Sequence, residues 1–267
     1  MTYLLHAPLE QFNILLVSQI KILNFDLSLT NFFLMNVLTL LSFIIVIYFS
    51  SSNENELKEN SLFFCPNSWQ KFIEFISEAT AQLVSDIIMV GNTKYFPLIS
   101  VLFNFIFFSN LLGLIPYSFT VTSHLIITFT LSFSIFIGIN ITTVRKYKMK
   151  AFSLFLPANT SFILALLLVP IEFISYIAKP ISLGVRLFIN LMAGHSLLKV
   201  IMGFSWSMLV LENLVSFGLI TPMIITVILF GLELGVALIQ TYVFVILTCI
   251  YIRFLYNLHV RTIQTYL

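Results

Sequence analysis

The segment from Pro157 to Gly203 is almost continuously apolar, and Trp206 to about Arg253 repeats the pattern. As one helix the first would be roughly 70 Å long at ~1.5 Å per residue, against a bilayer hydrocarbon core of ~30 Å. Runs of this length suit a lipid solvent, not the core of a soluble domain. Charged residues make up 9% of the chain, where soluble domains carry about 25%. The expected fold class is therefore an all-α polytopic membrane protein, a single integral membrane domain over 1–267.

The order of elements follows from periodicity. A first span covers 31–49, close to the ~20 residues a bilayer core needs. The polar loop Ser50 to Ser61 (SSSNENELKENS) follows. In 69–90, apolar residues from Trp69 to Ile88 recur at three- and four-residue intervals, between Lys71, Glu74, Glu78, Gln82 and Asp86. That pattern predicts an amphipathic helix lying on the membrane surface or on a partner. A helical hairpin is expected over 95–144, turning at Pro116-Tyr117-Ser118-Phe119. The remaining 157–262 is either split near Lys179-Pro180 or built as a long tilted helical hairpin; Pro170, Pro180 and Pro222 permit kinks. Basic residues bear on that choice. With five crossings, Lys58, Lys71, Lys94, Arg145, Lys146, Lys148, Lys150, Arg253 and Arg261 fall on one side, and Lys21 and Lys199 on the other. The positive-inside rule then puts the N-terminus outside and the C-terminus inside. The distribution favours about five membrane-crossing helices, the last two long and steeply tilted.

Several chemistries are a poor fit. A net charge of +2 without a basic cluster gives no footprint for nucleic acid. His6, His124, His195 and His259 lie in different segments, so no helix face pairs them for haem or zinc. Cys65 and Cys249 fit neither a disulfide framework nor a metal motif. The chain has no phosphate-binding glycine loop, and no catalytic site or cofactor of its own is expected. The N-terminus has neither a secretory signal pattern nor the Arg- and Ser-rich pattern of a transit peptide.

Against this apolar background, Arg186 stands out. Its guanidinium keeps its proton at any physiological pH, and placing it in hydrocarbon costs about 2.5–3.5 kcal/mol on insertion scales. An arginine near a helix end can snorkel, but Arg186 has apolar sequence for more than a turn on both sides. Glu172, Lys179 and Arg186 are spaced by seven, nearly two turns, and share one stripe that Asn190 joins. His195 is nine residues beyond Arg186, on the opposite face and ~13 Å along the axis. In the last helix Glu233 and Gln240 are seven apart. Antiparallel packing of the two helices would set Gln240 near Arg186 and Glu233 near His195. Two acid-bearing regions would then flank a fixed positive charge, which is what a proton pathway of two half-channels requires. Each residue also has a structural alternative. Glu172 could pair with Lys179, His195 could be a satisfied interior histidine, and Asn190 and Gln240 could simply join helices. From the residues alone, a proton-channel stator and an independent transporter or ion channel stay close; no internal repeat favours the transporter. A purely structural subunit predicts instead that a neutral residue can replace Arg186.

The motifs resemble one family. Ala7-Pro8-Leu9-Glu10-Gln11-Phe12, the run Asn110 to Phe119 (NLLGLIPYSF), Ile181 to His195 (ISLGVRLFINLMAGH), Leu232-Glu233-Leu234 and Gln240 to Phe244 (QTYVF) occur in order. Together they make the chain resemble subunit a of F-type ATP synthases in its mitochondrial form, over nearly the whole length. The resemblance implies a stator in the membrane (Fo) sector, working against a rotating c-subunit ring whose subunits each carry a carboxylate. Arg186 matches the family's essential arginine, which favours the ionised form of a passing carboxylate and blocks a leak between half-channels. His195 and Glu233 match the polar pair on the intermembrane-space side, Glu172 the acid of the matrix side, and Asn190 and Gln240 the polar residues beside the arginine. It also implies peripheral-stalk and other Fo subunits as partners, protons as the transported ion, membrane lipid as surroundings and no nucleic acid. The location implied is the mitochondrial inner membrane, multi-pass, with the N-terminus toward the intermembrane space and the C-terminus toward the matrix. One departure stands out: Tyr251 to His259 reads YIRFLYNLH, without the second acid some mitochondrial relatives carry there.

Overall fold

A computed structural model describes residues 8–22, 25–26, 28–51, 68–88, 95–115, 118–148, 162–210 and 217–264. Among them are six α-helices: α1 (Asn31–Ser51), α2 (Ser68–Ile88), α3 (Phe96–Gly113), α4 (Leu125–Tyr147), α5 (Phe162–Val210) and α6 (Phe217–Gln264). All but α2 are long and apolar enough to cross a membrane. The protein is an all-α polytopic membrane protein. Its short strands lie before α1: β1 (Leu16–Ser18) pairs antiparallel with β4 (Leu29–Thr30), and β2 (Lys21–Ile22) with β3 (Phe25–Asp26). Sequence periodicity did not announce these ladders. They lead into α1, where the Thr30 hydroxyl accepts from Phe33 N at 3.3 Å, as a helix-capping residue does.

One local outcome differs from the sequence expectation, and a second bears out the option that the basic residues favoured. The turn between α3 and α4 is longer than the four-residue Pro116–Phe119 connection. α3 ends at Gly113, Val121–Ser123 forms a 3-10 turn, and α4 begins at Leu125 rather than near Thr120. Thr120 and His124 are extended, and the Ser123 hydroxyl donates to Thr120 O at 2.6 Å. Short hydroxyl side chains bonding to nearby backbone compete with helix in this way. The second outcome concerns 157–262. α5 runs for 49 residues through Pro170 and Pro180, and α6 for 48 residues through Pro222, without a split. Each is roughly 70 Å long at ~1.5 Å per residue, so neither stands upright in a ~30 Å core. Pro157, Glu212, Cys65 and the loop lysines Lys58, Lys94 and Lys150 lie outside the described residues.

α2 explains the amphipathic pattern. Its buried residues Ile76, Thr80, Leu83, Val84 and Ile88 recur at helical spacing. Leu83, Val84 and Ile88 pack with Ile99 of α3 and with Val245, Cys249 and Ile252 of α6. The apolar face of α2 thus docks on one end of the helix bundle itself, and Trp69 at its start stacks on Phe49 at the end of α1, ring centroids 6.2 Å apart. A second apolar cluster, Ile106, Leu183, Leu187 and Phe244, joins α3, α5 and α6 deeper in the bundle. Gly184 lets α4 and α5 approach closely: a Cβ there would stand 2.8 Å from Ser132 Oγ and 3.1 Å from Thr128 O.

Candidate site: the polar line between α5 and α6

Leu183, Leu187 and Leu191 turn inward on α5, one turn apart. Arg186 lies on the other side of the helix and is exposed, on a stripe with Ser182, Ile189, Ala193 and Leu197. Among the described residues nothing pairs with its guanidinium. One turn on, the chain changes from outward to inward polarity. Asn190 Nδ2 donates to Gln240 Oε1 at 3.0 Å, and Gln240 is buried. The antiparallel pairing expected from sequence is therefore present, with Gln240 bonded to the residue one turn from Arg186.

The same register sets Glu233 against Gly194, the residue before His195. Glu233 is 6% exposed, and neither carboxylate oxygen has a hydrogen-bond partner among the described residues. Its carboxyl lies against Gly194: a Cβ added there would come within 2.8 Å of Glu233 Cδ and Cγ, and closer still to Oε1. Glycine is what makes room for the acid. His195 is half-buried and its Nε2 is also unpartnered. A cavity of about 760 Å³ reaches this point, lined among others by Gln11, Asn31, Ser118, His195, Lys199 and Met202. The wall of this cavity is mostly apolar, with Gln11, Asn31, Ser118, His195 and Lys199 as its polar groups, and a buried polar atom without a protein partner is one that water can satisfy only beside such groups.

Toward the other end of α5, Glu172 is half-buried and its Oε2 is buried without a partner. Arg186 thus stands between an acid–imidazole pair and a single acid. The structure does not bring Glu172 to the other five residues. Fourteen residues separate it from Arg186 on one helix, a distance of ~21 Å.

Sequence reasoning passed over several groups that complete this line. Asn110 of α3, 1% exposed, donates to Thr241 Oγ1 at 3.3 Å and Ala237 O at 3.5 Å, tying α3 to the buried face of α6 next to Gln240. It lay inside a quoted motif but without a role. Tyr176 donates to Asn140 Oδ1 at 2.5 Å. Its signal was its place one helical turn after Glu172. Among the described residues no group of His, Cys, Asp and Glu could hold a metal ion.

Comparison with known proteins gives one answer. The family profile described as ATP synthase A chain matches residues 32–253. The chain is similar to ATP synthase subunit a of Marchantia polymorpha, 45% identical over 256 residues, covering 95% of this chain and 99% of that protein. It is similar to the subunit a of Pylaiella littoralis, 47% identical over 254 residues with 95% and 99% covered, and of Brassica napus, 46% identical over 258 residues with 95% and 97% covered. With a match across most of its length, and with five apolar helices that suit a membrane, this chain belongs to the ATP synthase A chain family.

Proposed function

We propose that this chain is the stator subunit of the Fo sector that carries protons to and from a rotating c-subunit ring through two half-channels, and so couples proton flow to ATP synthesis. The observation that carries the reading is the exposure of Arg186 on an apolar helix face, with no partner in its own chain among the described residues. A charge costing several kcal/mol in hydrocarbon calls for a partner of opposite charge that lies on that face. A carboxylate presented by a neighbouring ring subunit supplies it, and the guanidinium favours the ionised form of that carboxylate. Because Arg186 cannot release its proton, it also bars direct passage between the two ends.

His195 and Glu233, beside the cavity, form one half-channel; Glu172 belongs to the other; Asn190 and Gln240 hold α5 and α6 together at the level of Arg186. Lys71 and Arg145 belong to the end of the bundle where α2 docks, and the positive-inside rule turns that end toward the matrix. The cavity end then faces the intermembrane space of the mitochondrial inner membrane. Each proton crossing gains ~2.3 kcal/mol per 100 mV. Peripheral-stalk and other Fo subunits hold the stator against the ring.

The test is ATP-driven proton pumping in inverted membrane vesicles carrying Arg186→Gln, with assembly of the complex measured in the same preparation. The expected result is an assembled complex with pumping at background. Pumping near the wild-type rate would make Arg186 a structural charge and end the half-channel reading.

A further inference from the structure

An uncovered apolar run lies outside the spans, just ahead of α1. Residues 11–20 read QFNILLVSQI, without a charged side chain. Ile14, Leu15, Leu16 and Val17 are 56, 65, 58 and 60% exposed, and Ile20 is exposed as well. A strand packed by one face on its own chain alternates between buried and exposed side chains; this run does not. Leu16 pairs with Thr30 and Ser18 with Leu29, so the register of the β1–β4 ladder slips at Val17. A β-bulge has this form, and it re-aims a side chain.

The run is tied to the first residue of α1. Asn31 N donates to Leu15 O at 3.1 Å, Leu15 N donates to Asn31 Oδ1 at 3.1 Å, and Asn31 Nδ2 donates to Asn13 O at 3.2 Å. The 21 residues of α1 measure about 31 Å, and a bilayer core is ~30 Å thick. A span with so little length to spare puts Asn31 at the edge of the core, and the run bonded to it at the same level. Phe33, Leu34, Val37 and Leu38, next along α1, are exposed too, so the apolar surface continues from the run onto the span. Asn31 also lines the cavity, which places the run at the cavity end of the bundle.

We infer that 14–20 is an interfacial anchor: Ile14, Leu15, Leu16, Val17 and Ile20 seat in the lipid surface of the leaflet at the cavity end, and the Asn31 bonds hold the start of α1 at that depth. Three features select lipid as the occupant. The run is continuous with the surface of a membrane-crossing helix. The first charge after it is Lys21, which is exposed and suits the phosphates of lipid headgroups. The ladder has two strands and therefore open edges, which hydrocarbon does not tolerate but the hydrated headgroup level does. The backbone thus stays at the headgroups, and the apolar side chains reach the acyl boundary below them.

The experiment uses the assembled complex in vesicles of phosphatidylcholine with an anionic phospholipid. The photo-cross-linker benzoylphenylalanine replaces Leu16 or, separately, Val17, and adducts are read by mass spectrometry. The expected result is a lipid adduct at both positions. An adduct to another polypeptide at either position would overturn the anchor and make the run a protein interface. A second measurement needs no bulky group: Val17→Cys is treated with a charged, membrane-impermeant maleimide, and labelling is read on the peptide that carries residue 17. Labelling should be slow, and should rise several-fold when Leu16→Asp is added to lift the run into water. Fast labelling of Val17→Cys alone, unchanged by Leu16→Asp, would overturn the anchor by showing the run already in water.

Discussion

The two ends of the α5–α6 pair keep polar groups inside an apolar bundle by different means. At the His195 end, a small residue makes the space: Gly194 receives the Glu233 carboxyl, and a cavity of about 760 Å³ reaches the next residue, His195. At the Glu172 end, a third helix takes part: Asn140 of α4 accepts the Tyr176 hydroxyl of α5. One end is open and carries an acid and an imidazole. The other is crossed by a side-chain bond between two helices and carries one acid. The difference teaches that polar groups in an apolar bundle can be accommodated by removed volume or by a bond from a neighbouring helix. The two are separable by mutation.

The largest effect is expected where volume decides. Gly194→Leu would place a side chain in the space of the Glu233 carboxyl, and overpacking of this kind costs about 1–3 kcal/mol. Pumping per assembled complex should fall to near background. Gly203→Ala is the control on the same helix, since a Cβ there meets nothing within 4 Å; it should pump normally. If Gly194→Leu also pumps normally, volume is not what distinguishes this end.

Accessibility sharpens the comparison next. Met202→Cys, on the cavity wall, should react rapidly with a charged thiol reagent added from the cavity side. Leu183→Cys, buried beside Phe244, should stay unlabelled. Equal labelling of both would erase the contrast between an open end and a packed middle.

A smaller effect belongs to the bond between the two ends. Gln240→Leu strands Asn190 Nδ2, and interhelical hydrogen bonds of this type average about 0.6 kcal/mol, at most ~1.7. The complex should assemble with slightly lower thermal stability in detergent. A large loss of assembly would show that the amide pair, not apolar packing, holds α5 on α6.

The smallest effect concerns pH at the cavity end of the bundle. His124, outside the spans, stacks on Phe119 with centroids 5.0 Å apart and meets Phe32 edge-on at 6.0 Å. Burial pushes its imidazole below the usual 6.5. The unfolded chain therefore takes up the proton first. Stability is full above pH ~6.5 and is lost as pH falls from there toward the lowered folded value. Thermal melts of the complex between pH 7.5 and 5 should show less pH dependence for His124→Phe than for the wild type; identical slopes would exclude His124 as the source.

Much of this was legible before any coordinates. The apolar runs marked the spans because a bilayer needs a certain length of apolar helix, and the distribution of basic residues brought their number to five. The spacing of Trp69 to Ile88 foretold the helix α2, though not that its apolar face would dock on Val245 and Ile252 of its own chain. Six site residues, Arg186, Glu172, His195, Glu233, Asn190 and Gln240, were singled out because ionisable and amide groups are costly in hydrocarbon and so stand out there. Gly194, Asn140 and Tyr176 were not, because a glycine, an amide or a phenol is ordinary in a membrane helix until a partner across the bundle is known. The short α3–α4 turn was misjudged because hydroxyl-to-backbone bonds around Thr120 to His124 compete with helix in a way that hydropathy does not register.

By itself, then, the amino-acid order determined the solvent this protein folds in, the number of its membrane helices and the residues that cannot rest in lipid unaided. Those follow from transfer free energies that each segment carries with it. Only the tertiary structure decided that Arg186 faces outward while Asn190 one turn on faces inward, and which residue of α6 meets each residue of α5. These depend on register and rotation between helices, set by side chains far apart in the chain. Gly194 receiving Glu233 and Asn190 meeting Gln240 are two such contacts, and neither partner's own neighbours in sequence contain that information.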